Sequence, residues 1–269
     1  MYEREKKIDC GPYREIDIIP RSEAADDAVR KRRRKRIRVT SPKQQGLNDK
    51  NAKRYLLQLL NGNFGAEDLH VSLTYDGESL PETVEQAEET VRNYLRRVAY
   101  RRKKLGLPPL KYILITERGS RSGRIHHHVV MNGGIPRDEV EMMWTAQRIN
   151  WRKVGTPGYR IEQLGYVNAD RLRPTETGLE ELSKYLTKDP KGKKRWSSSR
   201  NLERPMELPP ADHKYTRRRV IQLATLPPEE REAWFRRQFP GYRIIDTRAE
   251  YYEETGWHIY VRAWKKGVG

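Results

Sequence analysis

From Asn51 the chain reads KRYLLQLL, a short amphipathic helix, and Gly62 and Gly65 break it. In the following LHVSLTY, Val71, Leu73 and Tyr75 alternate with Ser72 and Thr74. A period of two predicts a half-buried strand, and Asp76-Gly77 supplies the turn that ends it. The period then changes to that of a helix: Val84, Ala87, Val91, Leu95 and Val98 form one apolar stripe. Pro81 sits near its start, Glu82, Glu85, Glu88 and Glu89 favour its positive end, and Arg101 to Lys104 favour its negative end. Gly106 and Pro108 stop it. KYILITERG and RIHHHVVMN predict two strands of a hairpin around the polar segment from Gly119 to Gly123. A second helix is expected over PRDEVEMMWTAQ, a strand over GYRIEQL, and a third helix from Glu180 to Lys188. The order β-α-β-β-α-β-α suits an α+β fold, a ferredoxin-like split β-α-β antiparallel sheet with helices on one face.

The flanking segments have a different character. Residues 1–50 hold few large apolar side chains, and between Arg30 and Arg38 only Ile37 interrupts a run of Lys and Arg, so a basic, disordered N-terminal arm is expected there. Residues 51–190 form the expected central domain. Residues 191–269 read as a basic linker, KGKKRWSSSR, and a small C-terminal α/β extension. In that extension Pro227-Pro228 opens the helix EEREAWFRRQF, Pro240-Gly241 ends it, and YRIID and GWHIYVRAW are expected to pair around Thr255-Gly256.

Composition narrows the choice of partner. Only 35% of residues are hydrophobic and 34% are charged, against roughly 45–50% and 25% in ordinary globular chains. Lys and Arg number 55 against 37 Asp and Glu, a formal charge of +18 that favours nucleic acid over other polyanions. No apolar run is long enough to span a bilayer and MYEREKKIDC lacks the apolar centre of a secretory signal, so no membrane association and a cytoplasmic location are expected. Cys10 is the only cysteine, which excludes an intramolecular disulfide and a thiolate-rich zinc site. Any metal must rest on histidine and carboxylate ligands. No G-x-x-x-x-G-K-[ST] loop is present to drive an attached helicase with nucleotide.

Half of the six histidines occupy three consecutive positions, 126 to 128. On a strand His126 and His128 project from one face about 7 Å apart, and His127 from the other. Two imidazoles on one face suit a shared divalent ion. Glu117, at the end of the paired strand, completes a two-histidine, one-carboxylate set suited to Mg²⁺ or Mn²⁺. The alternative for Glu117 is a surface ion pair with Arg118 or Arg121. His70 is the competing third ligand, since it shares a strand face with Ser72 and Thr74. In KYLTK, Tyr185 and Lys188 emerge on one helical face, where the cation can stabilise a phenolate or an attacked phosphate. A phenol with a pKa near 10 is a poor nucleophile without such help.

LHVSLTY, ITERG with GRIHHHVVMN, and KYLTK resemble, in that order, the three motifs of rolling-circle replication initiators of the HUH superfamily, named for a His-hydrophobe-His motif. The resemblance covers about residues 67–190. It implies an HUH endonuclease domain in which His126, His128 and Glu117 bind the metal, Tyr185 attacks the scissile phosphate and Lys188 assists. The implied products are a 5′-phosphotyrosyl link and a free 3′-OH primer, with strand transfer at termination. The implied partners are single-stranded or hairpin origin DNA and the host helicase and polymerase. DNA contacts are expected from Arg124, from Arg32, Arg33 and Arg34 in the basic run, and from Lys193 and Lys194 in the linker. Two positions depart from the pattern. His127 stands where an aliphatic residue is usual, and Glu181 and Asp189 flank Tyr185 at one-turn spacing, so there is no second tyrosine. Two rival readings remain: a relaxase or single-strand transposase of the same superfamily, and a basic nucleic-acid-binding protein without catalysis.

Overall fold

The computed structural model of the chain describes residues 1–24, 26–27, 42–119, 123–187 and 196–267. They fall into two compact units. The first comprises Met1–Asn63, Thr175–Glu180 and Glu203–Gly269, and the second Phe64–Pro174 and Glu181–Leu202. Both are built on antiparallel sheets with helices, an α+β architecture.

The second unit holds the motif residues. Its strands are β3 (Leu69–Leu73), β4 (Tyr112–Arg118), β5 (Ile125–Met131), β6 (Val167–Arg171) and the two-residue β7 (Ser197–Ser198). They lie in the order β6-β3-β5-β4-β7. Because β5 is inserted between β3 and β4, the sheet is a split β-α-β arrangement. The crossover helix is α2 (Val84–Lys104), and α1 (Pro42–Asn63) belongs to the first unit. Helix α2 starts where the sequence signals it. Thr83 caps the Gln86 backbone amide and the Gln86 side chain returns the bond, and four basic residues occupy the last turn. Its stripe of Ala87, Val91, Leu95 and Val98, joined by Tyr94, packs against Val71, Leu73 and Val129 in one buried core. Val84, expected in that stripe, stays 37% exposed because it lies in the first turn, at the helix end.

Two expected elements differ. The helix over PRDEVEMMWTAQ is only α3 (Arg137–Met142). It ends because Trp144 turns inward, fully buried, with its indole N–H donating to the Thr74 carbonyl at 2.7 Å. The strand expected over GYRIEQL does not form, and Val167–Arg171 takes the place beside β3 instead. The 158–164 segment is held by loop bonds: the Leu164 amide donates to the Trp144 carbonyl at 3.1 Å, and the Thr145 hydroxyl donates to the Glu162 carbonyl at 2.5 Å. Helix α4 (Glu180–Leu186) then carries the tyrosine of KYLTK.

The first unit overturns the expected N-terminal arm over much of its length. Residues 2–21 form the hairpin of β1 (Tyr2–Cys10) and β2 (Tyr13–Arg21). Its remaining strands are β8 (Met206–Glu207), β9 (Ala211–Asp212), β10 (Tyr242–Tyr252) and β11 (Gly256–Lys265). The main path runs β10-β11-β2-β1-β8, so the N-terminal hairpin lies inside the sheet. Ile16 and Ile18 of β2 are fully buried against α5 (Arg217–Thr225) and α6 (Pro228–Gln238) in a core with Leu223, Phe235 and Val261. On the opposite face Glu15 and Asp17 receive Arg54 of α1, and Gln58 donates to Glu15 at 2.6 Å. The hairpin escapes a hydrophobicity reading because so many of its inward positions are charged and satisfied by residues distant in sequence. The β10–β11 pair agrees with the pairing expected from sequence. The basic run with Arg32, Arg33 and Arg34 lies outside the described residues, as do Lys188, Lys193 and Lys194.

Candidate functional site

Register builds the site. In the ladder between β4 and β5, Glu117 is directly opposite His126 and Thr116 is opposite His127; across β3, Ser72 is opposite His128. Directly opposed residues share a face of the sheet, so Glu117, His126, His128, Ser72 and His70 emerge together on the face away from α2. Glu117, His126 and His128 each offer a ligand atom, and those atoms lie within 4.8 Å of one another. The nearest Glu117 oxygen is 3.6 Å from His126 Nε2. The hairpin that sets this register closes at Gly123, whose φ of +66° is open to glycine at little cost. The Gly119 amide donates to the carbonyl of Arg124 at 2.8 Å. Arg124 itself is exposed at this end of the hairpin.

His128 is the most constrained of the group. It is buried, with its Nδ1 3.2 Å from His70 Nε2 and 3.3 Å from Ser72 Oγ. Its Nε2 is buried without a hydrogen-bond partner among the described residues. An orphaned buried nitrogen is costly unless something supplies a partner, and a cation is one such partner. Burial, reinforced by His70, His126 and His127, pushes the His128 imidazole down to about 3, so at neutral pH it is in the uncharged form that ligates metals. Burial likewise lowers His70, opposed by Asp170. The donor set therefore fits a divalent ion. It offers two imidazoles and a carboxylate, with one nitrogen left free by the surrounding contacts.

His127 occupies the other face. It is fully buried, with Nε2 2.8 Å from the Tyr75 hydroxyl and Nδ1 2.9 Å from the Thr116 hydroxyl. Its ring packs against Tyr75 and Trp144. Burial, with a contribution from His126, pushes it down to about 3, so it serves as a neutral core residue with both nitrogens satisfied.

Tyr185 is brought to the cluster by α4. Its ring centroid lies 5.3 Å from that of His128 and 6.3 Å from that of His70, both edge-on. The Ser183 and Leu186 side chains are buried, which fixes the helix face, while Tyr185 remains 53% exposed and open to a large substrate. The structure thus brings together four of the residues singled out by sequence: Glu117, His126, His128 and Tyr185. His70 is also present, but it contacts the second nitrogen of His128 instead of joining the Glu117 group. Ser72 and Thr116 were not singled out as functional partners. Their only signal was strand alternation, and the cross-strand register needed to use it is not local information.

Residues 68–190 match the family of replication-associated proteins of the ORF2 type, a segment that contains the whole cluster and supports a role in replication initiation and DNA binding. No curated protein and no solved structure matches the chain. Among the described residues, no helix is long and apolar enough to cross a membrane.

Proposed function

We propose that the protein initiates rolling-circle DNA replication by nicking one strand of single-stranded or hairpin origin DNA with Tyr185. The observation that carries this reading is the position of the Tyr185 ring 5.3 Å from His128, beside the Glu117, His126 and His128 group. Those three residues would hold a Mg²⁺ or Mn²⁺ ion. Bound there, the ion would supply Lewis-acid polarisation of the scissile phosphate.

The protein's own part is to position and to exchange bonds. The Tyr185 Oη attacks the phosphorus and gives up its proton to solvent. The bond from phosphorus to the 3′ oxygen breaks, and that oxygen takes a proton to become the free 3′-OH. One phosphodiester is replaced by one 5′-phosphotyrosyl link, so the bond is conserved for later strand transfer. Exposure of Tyr185 suits attack on a polymer. Lys188, one turn beyond it in sequence, is assigned the role of stabilising the phenolate or the attacked phosphate. Arg124 and the basic run with Arg32, Arg33 and Arg34, together with Lys193 and Lys194, are assigned to the DNA backbone. The freed 3′-OH is the primer a host polymerase would extend, with a host helicase opening the duplex in the host-cell cytoplasm.

The test is formation of a covalent adduct between the full chain and single-stranded origin DNA in the presence of Mn²⁺, resolved on a denaturing gel. Tyr185→Phe keeps the ring and removes the nucleophilic oxygen, so it should bind DNA and form no adduct. A normal yield of adduct from Tyr185→Phe would sink the assignment. Absence of adduct from the native chain on every origin hairpin tried, with DNA binding intact, would favour the non-catalytic binding protein.

A further inference from the structure

The second unit carries another concentration of charge and aromatic surface, on the helix-covered side of its sheet and so on the face opposite the histidine cluster. A groove of about 1050 Å³ is formed by the C-terminal half of α2 and the segment that follows α3, lined by Arg96, Arg97, Tyr100, Arg148, Trp151 and Arg152. No acidic residue lines it. Arg96, Arg148 and Arg152 are exposed, and among the described residues none of the four arginines pairs with a carboxylate. Arg97 is held by the Met143 carbonyl at 3.1 Å and Arg96 by the Asn93 side chain at 2.6 Å, so two of the cations are oriented by neutral partners. Unpaired cations gathered in a concavity repel one another, and an anion relieves that cost.

The aromatic residues set the kind of anion. Tyr100 is 59% exposed, an unusual outlay of apolar surface on a helix. Trp151 is fixed beside it in a half-buried position, with the Arg101 guanidinium 4.0 Å from its ring centroid and Arg101 anchored to Glu139 at 2.8 Å. Rings interleaved with guanidinium groups match a polymer that presents a planar base and a phosphate in every unit. Duplex DNA stacks its bases internally and leaves them no free face, and an acidic polypeptide brings charge without repeated planar groups.

We propose that this groove binds single-stranded DNA, with the exposed arginines on phosphates and Tyr100 stacked on a base. Binding there requires neither a metal nor Tyr185, so it stands whether or not the nicking reading holds.

The test uses the full chain with EDTA present, so that no strand is cut, and follows the anisotropy of labelled dT30 over a range of salt. Exposed arginines can be replaced without disturbing the core. R96A/R148A/R152A should keep the native circular dichroism and melting temperature, weaken dT30 binding at least tenfold, and lower the log–log salt slope by about 2, at ~0.7 for each phosphate no longer neutralised. Tyr100→Ala should weaken dT30 by about tenfold and leave a duplex of equal length unaffected. Iodouracil-substituted dT30 should photo-crosslink to the peptides containing Tyr100 or Trp151. An unchanged affinity and slope in the triple variant, equal losses on duplex, or crosslinks confined to other peptides would each overturn the proposal. Competition by polyglutamate as strong per charge as that by unlabelled dT30 would overturn it too, in favour of an acidic polypeptide.

Discussion

His70 Nε2 lies 3.2 Å from His128 Nδ1, so one histidine orients the other and leaves the buried Nε2 of His128 without a protein partner among the described residues. A ligand imidazole is commonly held in this way through its second nitrogen. His70→Ala should therefore lower Mn²⁺ affinity by roughly 10–100-fold without removing a ligand. Glu117→Gln, His126→Ala and His128→Ala should each cost more, through loss of a donor. Calorimetric titration separates the two roles. If His70→Ala equals His126→Ala and Glu117→Gln changes little, His70 is the third ligand.

His127→Ala should act on stability. It empties a fully buried site and strips the Tyr75 hydroxyl and Thr116 of their partner. Cavity and unsatisfied polar groups together should cost about 3 kcal/mol, seen as a lower melting temperature. Mn²⁺ affinity per folded molecule should change far less. Equal loss of metal binding in His127→Ala and His128→Ala would contradict the opposed faces of β5.

Removal of residues 1–21 should unfold the first unit, because it extracts β1 and the interior strand β2 with the buried Ile16 and Ile18. Deletion of residues 30–38 alone should spare the fold, weaken DNA binding at low salt and flatten its salt dependence by ~0.7 for every phosphate the run neutralises. Circular dichroism and salt-dependent anisotropy check the pair. A soluble, native-like Δ1–21 protein would contradict the placement of the hairpin.

Glu5 makes acid stability of the first unit testable. Burial by itself would raise its carboxyl, but bonds from Lys214, Tyr215 and Lys7 outweigh burial and hold it below the usual carboxylate value. Its stabilisation is therefore fully present above the unfolded value of about 4.5 and is lost as pH falls through the lower folded value. Glu5→Gln should destabilise the protein at neutral pH by less than the ~3–5 kcal/mol of a broken buried pair, because Lys214 reaches water. It should also flatten the decline in stability below pH ~4.5. Urea unfolding at several pH values measures both. An unchanged acid limb in the variant would remove Glu5 from the acid response.

Much of the second unit is legible in its sequence. The stripe from Ala87 to Val98 and the caps of α2 lie within a few turns of one another, and the alternation in β3 and β5 spans only a few residues. The missed elements have non-local causes. GYRIEQL has the composition of a strand, yet Val167–Arg171 wins the edge of β3: the buried Val167 and Ala169 face the core, and the Ala169 amide donates to Glu141 at 2.7 Å. Helix α5 went unread because Arg217, Arg218 and Arg219 mask the Val220 and Leu223 that it buries.

By itself the sequence determined the α+β class, the helix α2, the β4–β5 hairpin and the division of His126 and His128 from His127, since periods of 2 and 3.6 residues are written into neighbouring positions. Only the tertiary structure decided that Glu117 opposes His126, that His70 and Ser72 meet the same nitrogen of His128, that Tyr185 comes to that ring, and that residues 2–21 lie inside a sheet. Each of these depends on strand register or on the closure of long loops, where the partner that satisfies a polar side chain lies tens to hundreds of residues away and its identity leaves no local trace.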